Sequence, residues 1–341
     1  MSKHQTNVRD ALTRPLKDLR ISLTDRCNFR CKYCMPKEIF GKDYPFLSDE
    51  ETLTIDEIVR VTTILSELGV HKVRLTGGEP ILRRDLPDIV RAVSDIPGID
   101  DIAVTTNGSM LTERRAIALK EAGLRRITVS LDALDDTIFK AMNDVGFPVA
   151  RVLTAIDTAL SAGLAPVKVN MVVRKGMNES QVLPMAERFR DSGVILRFIE
   201  YMDVGNSNGW QMNDVVPAAD IYRMIDDKYS LIPVEPNTPG DVAERFAYAD
   251  GAGEIGIIHS VTNPFCRGCS RLRLTASGEL FTCLFGTHGT PIRHLLRNGT
   301  TDEALRALFA GLWRGRRDRY SEERSSETIQ RPRVEMSRIG G

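Results

Sequence analysis

The chain lacks a long apolar run, a net charge and a leader pattern, and each lack removes a class of function. No stretch approaches the ~18 consecutive apolar residues of a membrane helix, and residues 1–20 mix Lys, Arg and Asp without an apolar centre. Neither a membrane span nor a secretory leader is expected, and a cytoplasmic location is. Lys and Arg number 46 and so do Asp and Glu, with no clustered basic and aromatic surface, which argues against a nucleic-acid partner. Internal repeats beyond an alternation of short and long elements, and low-complexity tracts, are absent. Cysteine is scarce, six in 341 residues, but the six fall into two tight groups far apart in the chain. That pattern speaks against a disulfide framework and for metal or cluster ligation in a reducing compartment.

The first group is Cys27-Asn-Phe-Arg-Cys31-Lys-Tyr33-Cys34, directly after an apolar stretch. Cysteine thiolates hold iron–sulfur clusters, usually one per iron in a cubane, so three leave one iron open to an exogenous molecule. The alternatives are a zinc ion completed by a remote His or Cys, or three buried thiols. The second group, Cys266-x-x-Cys269 followed after thirteen residues by Cys283, again supplies three ligands. A second open cluster is the better reading beside the first. A zinc knuckle completed by His288 or His259 also fits the spacing.

Short runs rich in Ile, Val and Thr, at 19–24, 72–76, 101–106, 126–131, 167–173 and 195–201, alternate with helical patterns. Helices are expected over 54–68, where Thr54-Ile-Asp-Glu57 has capping-box spacing, over 112–122 and over 151–162, each stopped by a glycine. Six βα units predict an α/β fold, a parallel sheet curling into a partial (βα)6 TIM-like barrel. In such barrels functional groups gather at the carboxyl ends of the strands, where the first cysteine group falls. The grammar changes after Met202, which divides the chain into a barrel region, 1–204; an α+β extension closing its side, 205–319; and a polar tail, 320–341, expected to be mobile. Within the extension a connector is expected over 233–240, strands over 255–260, 271–275 and 280–283, and a helix over 302–313. The basic run 314–319 reads as a solvated face.

Strand alternation puts Arg20, Ser22 and Thr24 on one face of the first strand, Arg74 and Thr76 on one face of the second, and Lys168 and Asn170 on one face of the fifth. Charges in strands otherwise made of Val, Ile and Leu are costly unless they face a polar cavity, so an anion site is expected inside the barrel. Arg271-Leu272-Arg273 likewise sets two guanidiniums on one face, suited to phosphate and purine edges.

Several motifs together carry a resemblance over essentially the full length. They are Asp25 to Met35 with its three cysteines, Arg74-Leu-Thr-Gly-Gly-Glu-Pro80, Thr105-Thr-Asn-Gly108, Val129-Ser-Leu-Asp-Ala133, Arg197-Phe-Ile-Glu-Tyr-Met-Asp203, the later cysteines and Gly340-Gly341. The first cysteine group resembles the signature of radical S-adenosylmethionine (SAM) enzymes, and the whole set resembles the GTP 3′,8-cyclase family of molybdenum cofactor biosynthesis. The resemblance implies two [4Fe–4S] clusters, on Cys27, Cys31 and Cys34 and on Cys266, Cys269 and Cys283. It further implies SAM contacts from Tyr33, Gly78, Ser130 and the backbone of Met202. GTP contacts would come from Arg20, Arg74, Thr105, Lys168, Arg271, Leu272 and Arg273, with Arg271, Arg273, Gly340 and Gly341 as catalytic residues.

In that family a 5′-deoxyadenosyl radical takes the ribose C3′ hydrogen of GTP, C3′ adds to guanine C8, and a late electron comes from the second cluster. The implied partners are an electron donor and a small cyclic pyranopterin monophosphate synthase, with room for a homodimer. The rival readings are a peptide-modifying radical SAM enzyme, whose C-terminal region would carry more cysteines, and a zinc or cluster sensor.

Overall fold

The structure, a computed structural model, describes residues 7–236, 240–325 and 331–340. Six parallel strands form its centre: β1 (Asp18–Ser22), β2 (Lys72–Thr76), β3 (Asp101–Thr106), β4 (Arg126–Ser130), β5 (Val167–Val173) and β6 (Ile195–Glu200), paired in chain order. One face of each is aliphatic. Leu19, Ile21, Val73, Leu75, Val104, Ile127, Val129, Val169, Leu196 and Phe198 are all buried in one continuous core. Each fully buried side chain of this kind contributes roughly 1.5–3 kcal/mol. The helices α1 (Ile55–Glu67), α2 (Leu86–Ser94), α3 (Glu113–Glu121), α4 (Asp136–Asn143), α5 (Val149–Ser161) and α6 (Val182–Phe189) supply the other apolar faces. The opposite face of the sheet is therefore left for polar groups.

The expected capping box starts α1: Glu57 N donates to Thr54 Oγ1 (3.2 Å) and Thr54 N to Glu57 Oε2 (2.8 Å). Gly69 follows the helix with φ +119°, a conformation that side-chain-bearing residues resist.

The remaining strands join both edges of the central six. They are β7 (Leu231–Val234), β8 (Glu244–Tyr248), β9 (Glu254–Ile258), β10 (Arg271–Leu274), β11 (Glu279–Phe281) and β12 (Thr290–Pro291). β9 runs parallel to β6 and is followed outward by β8 and β7; β10 runs parallel to β1 and is followed by β11 and β12. The extension thus flanks the partial barrel on two sides. The expected strands over 255–260, 271–275 and 280–283 correspond to β9, β10 and β11.

β7, β8 and β12 carry weaker signals. β7 is an edge strand with an exposed Ile232 and a proline, and β12 has only two residues. Pro233 and Val234, expected in the connector, are part of β7, and 237–239 of that connector lie outside the described residues. Helices α7 (Ala218–Asp226), α8 (Arg293–Arg297) and α9 (Asp302–Arg314) complete the extension, with α9 packed on α1.

Two expectations change. The basic run 314–319 is not uniformly solvated: Arg316 is buried. The tail expected to be mobile is docked over its described part, because buried charges anchor it. Asp203 accepts from Tyr320 Oη (2.6 Å) and Arg324 Nε (3.1 Å) and pairs with Arg333 (3.0 Å). Phe285 stacks on Tyr320 at 4.4 Å, and Ile339, in a helical turn at Met336–Ile339, is fully buried.

Candidate active site

One cavity opens over the polar face, with an empty volume of about 2030 Å³, its open mouth included, and all six cysteines line it. Cys27, Cys31 and Cys34 lie in the loop after β1. Gly77 and Gly78, at the end of β2, hold that loop by main-chain contact. Gly78 N donates to Thr24 O (2.7 Å) and Glu79 N to Arg26 O (2.8 Å). A Cβ on Gly78 would stand 2.2 Å from Arg26 O, and one on Gly77 2.5 Å from Thr24 O. Only glycine permits this approach, which brings the Gly-Gly turn and the cysteines to one wall.

Glu79, fully buried, accepts from Thr106 Oγ1 (2.7 Å), Asn107 N (2.7 Å) and Ile81 N (3.0 Å), and burial outweighs these donors to push its carboxyl up to about 7. Asn107 reaches Asn28 (2.9 Å) and lies 3.9 Å from Cys27 Sγ. Tyr33 donates to Asp132 Oδ2 (2.8 Å), and Val172 N donates to Asp132 Oδ1 (2.9 Å). Burial again dominates, raising Asp132 to about 6. Ser130 and Met202 line the same cavity; the Met202 carbonyl accepts from Val204 N (3.0 Å) and Asn208 Nδ2 (3.2 Å).

Sheet register builds the cationic floor. Arg273, Arg20 and Arg74 stand side by side across β10, β1 and β2, and Thr105, Thr128 and Lys168 across β3, β4 and β5, with Thr128 and Lys168 set back behind the residues that line the cavity. Arg74 Nη1 donates to Thr105 Oγ1 at 3.2 Å. Arg197 projects from β6 beside Asn170, and Gly256 of β9 leaves it room, since a Cβ there would lie 3.3 Å from Arg197 Cγ.

Burial and mutual repulsion lower every cation in this floor. Arg20 falls well below its ordinary value, Arg74 to about 9, Arg197 and Arg273 to about 10, and Lys168 to about 7. So many like charges on one buried surface await an anion. Leu272 differs from its neighbours: alternation turns its side chain into the aliphatic core. Arg273 donates to the Gly340 carbonyl, and Ser22 Oγ lies 3.4 Å from Ser337 O. Gly341 lies outside the described residues.

Cys266, Cys269 and Cys283 line the other end of the cavity, beside Arg271. Burial raises Cys27 and Cys283 to about 12 and likewise pushes up Cys31 and Cys34. Thiols so desolvated carry charge only when a cationic centre shares it, so the donor sets fit clusters. Burial also acts on Cys269, but Arg271 and Arg316 together outweigh it and bring that thiol to about 6. Of the histidines that could complete a zinc knuckle, His259 lies against Glu244 (2.8 Å), and neither it nor His288 lines the cavity.

Arg197 and Asp132 were overlooked as site residues, although each sits inside a quoted motif at an inward strand position or strand end. Arg316, and Arg14 and Asp10 beside it, gave no sequence signal, because their juxtaposition spans some three hundred residues.

A parallel βα array with a three-cysteine loop after its first strand, and a second triad facing it across a cationic cavity, defines a radical SAM enzyme with an auxiliary cluster site. The Radical SAM superfamily profile matches residues 21–189, and that of Molybdenum Cofactor Synthesis C matches 194–322. The chain is 52% identical over 325 residues to a GTP 3′,8-cyclase of Acidothermus cellulolyticus, covering 94% of this chain and 90% of the relative. It is 47% identical over 338 residues to that of Staphylococcus aureus, covering 98% and 99%. Streptococcus suis SuiB bound to S-adenosylmethionine superposes with a TM-score of 0.60 at 14% identity, over 93% of this chain and 72% of that one, a likeness of fold. The chain belongs to the GTP 3′,8-cyclase family. It is a lyase of molybdenum cofactor biosynthesis that takes GTP and SAM and uses two [4Fe–4S] clusters. Among the described residues, no helix is long and apolar enough to cross a membrane.

Proposed function

We propose that SAM binds at the Cys27, Cys31 and Cys34 end of the cavity and GTP between the cationic floor and the Cys266, Cys269 and Cys283 end. The observation that carries this reading is that both triads line one cavity with Arg20, Arg74, Arg271 and Arg273 between them. When bound, SAM with the first cluster supplies the radical that takes the C3′ hydrogen of GTP, and the second cluster supplies an electron late in the cyclisation.

The protein's own residues do the rest. Arg20, Arg74, Lys168 and Arg273 fix the triphosphate and so orient the ribose, with Arg197 as a further contact. Tyr33, Gly78, Ser130 and the Met202 backbone seat SAM, and Asp132 holds the Tyr33 ring by its hydroxyl. Leu272 serves through its main chain, since its side chain faces the core. Gly340, with Gly341 beyond it, sets the orientation of Arg273 through the Gly340 carbonyl.

In this reading 1–204 makes the radical and supplies most of the cationic floor, 205–319 completes the substrate site with Arg271, Arg273 and the second cysteine set, and the end of 320–341 orients Arg273. The enzyme works in the cytoplasm with a separate electron donor and passes its product to a cyclic pyranopterin monophosphate synthase; a homodimer is compatible with it.

Anaerobic reconstitution of cysteine variants tests the division of labour. Cys27→Ala, Cys31→Ala or Cys34→Ala abolishes SAM cleavage. Cys266→Ala, Cys269→Ala or Cys283→Ala leaves uncoupled cleavage and removes GTP cyclisation. Identical behaviour of the two sets in folded protein, or stoichiometric zinc at the second, would overturn the assignment.

A further inference from the structure

Behind the second cysteine set lies a closed group of charges that the mechanism above does not use. Asp10, just before β1, accepts from Arg14 Nε at 2.6 Å and lies 3.4 Å from Arg316 Nη1; the side chains of Asp10 and Arg316 are 0% and 1% exposed. Arg14 Nη1 donates to the carbonyls of Cys266 and Asp318, both at 2.8 Å. Arg316 Nη1 donates to the Cys269 carbonyl (2.7 Å), and its Nη2 reaches Cys269 Sγ at 3.0 Å. Asp318 stands 3.5 Å from Arg316 Nε and accepts from Thr282 Oγ1 (2.6 Å), next to Cys283. Trp313 closes the group, its Nε1 donating to Arg14 O (3.1 Å) and its ring lying under the Arg316 guanidinium at 4.6 Å.

A fully buried guanidinium is costly, and here its planar fork is spent on one cysteine, carbonyl and sulfur together. A loop anchor needs only the carbonyl, which Arg14 already secures at Cys266. The contact with sulfur is extra, and it bears on charge. Reduction adds one negative charge to a cluster, and hydrogen bonds and positive charge at a ligand sulfur favour the reduced form.

We infer that Arg316, held by Asp10 and Asp318, is a positioning residue that raises the reduction potential of the second cluster through Cys269 Sγ. The inference rests on the assignment of that cluster to Cys266, Cys269 and Cys283. Asp10 tempers the effect, because its carboxylate shares the guanidinium's charge.

The test uses the full-length chain with Cys27, Cys31 and Cys34 replaced by Ala, so that only the second cluster is present, reconstituted anaerobically and followed by electron paramagnetic resonance during redox titration. Failure of this parent to bind iron would sink the cluster assignment itself. With the parent loaded, Arg316→Gln is expected to hold its iron and titrate at a more negative potential. Arg316→Lys is expected to fall between the two, and Asp10→Asn to shift in the positive direction. A purely structural role would change loading and not produce shifts of opposite sign. An unchanged potential in a fully loaded Arg316→Gln overturns the inference. So does loss of iron from both Arg316 variants, which would make the residue a structural anchor.

Discussion

Lys168 shows how far a single residue's chemistry depends on its neighbours. Burial is the largest influence on it, and Arg197, Arg126 and Arg74 add repulsion that Asp241 opposes, so its ammonium has fallen to about 7. An unfolded lysine keeps its proton to about 10.4. Between those values the unfolded chain binds one more proton than the folded one, so Lys168 makes stability rise with pH from about 7 upward. Below that window it costs on the order of 5 kcal/mol.

A bound triphosphate reverses this by restoring the charge. GTP binding at about pH 8 should therefore take up close to one proton, and affinity should weaken by roughly tenfold per pH unit above the Lys168 value. Calorimetry in buffers of different ionisation enthalpy measures the uptake, and Lys168→Arg, whose guanidinium holds its proton far more tightly than an ammonium, should greatly reduce it. Binding enthalpy that ignores the buffer would remove Lys168 from the triphosphate site. The inward-facing lysine and arginines were legible because charges at alternate positions of aliphatic strands need a polar cavity. Their lowered affinities for protons were not, since these arise from rows set by register across separate strands.

At the level of elements, the segment 331–340 works as a strap whose buckle is the loop after β6. Glu335 accepts from Asn206 N (3.0 Å) and Ser207 Oγ (2.8 Å), and Gly205, with φ +77°, leaves no space for a Cβ beside that carboxylate. Asp203 is the common partner of Arg324 and Arg333, whose side chains are 5% and 2% exposed. Removing one member of such a buried set costs about 3–5 kcal/mol, because the others are left uncompensated. Asp203→Ala should therefore release the strap, open the buried Arg333–Val334 bond to trypsin and withdraw Gly340 from Arg273, with loss of GTP cyclisation. Unchanged resistance to trypsin would show that the strap is held elsewhere.

A polar, aperiodic sequence read as mobile because it has no apolar face of its own. Its described part is fixed instead by ion pairs and a ring stack supplied by residues far away in the chain, and no local pattern announces those.

For the whole molecule the decisive fact is that the sheet continues across the division suggested by the sequence. The (βα)6 grammar was plain, since each strand carries its own run rich in Ile, Val or Thr and the helices expected over 54–68, 112–122 and 151–162 each stop at a glycine. The position of the extension was not, because pairing is a property of two strands and only one of them is local. Four residues of β10 pair with β1, from Asp18 with Arg271 to Ile21 with Leu274, and four of β9 pair with β6.

A fragment of residues 1–204 would present both outer strands as open edges, with every main-chain donor and acceptor in those rows unpaired, beside aliphatic surface that β9, β10 and α9 now cover. Open edges of this kind pair with one another. The fragment alone should accumulate as aggregate, whereas co-expression with 205–341 should yield a soluble complex that binds iron at the first cysteine set after reconstitution. Size-exclusion chromatography and iron analysis read both outcomes. A monomeric 1–204 fragment that melts cooperatively would mean that the central strands are complete without their flanks, and that the extension serves the substrate alone.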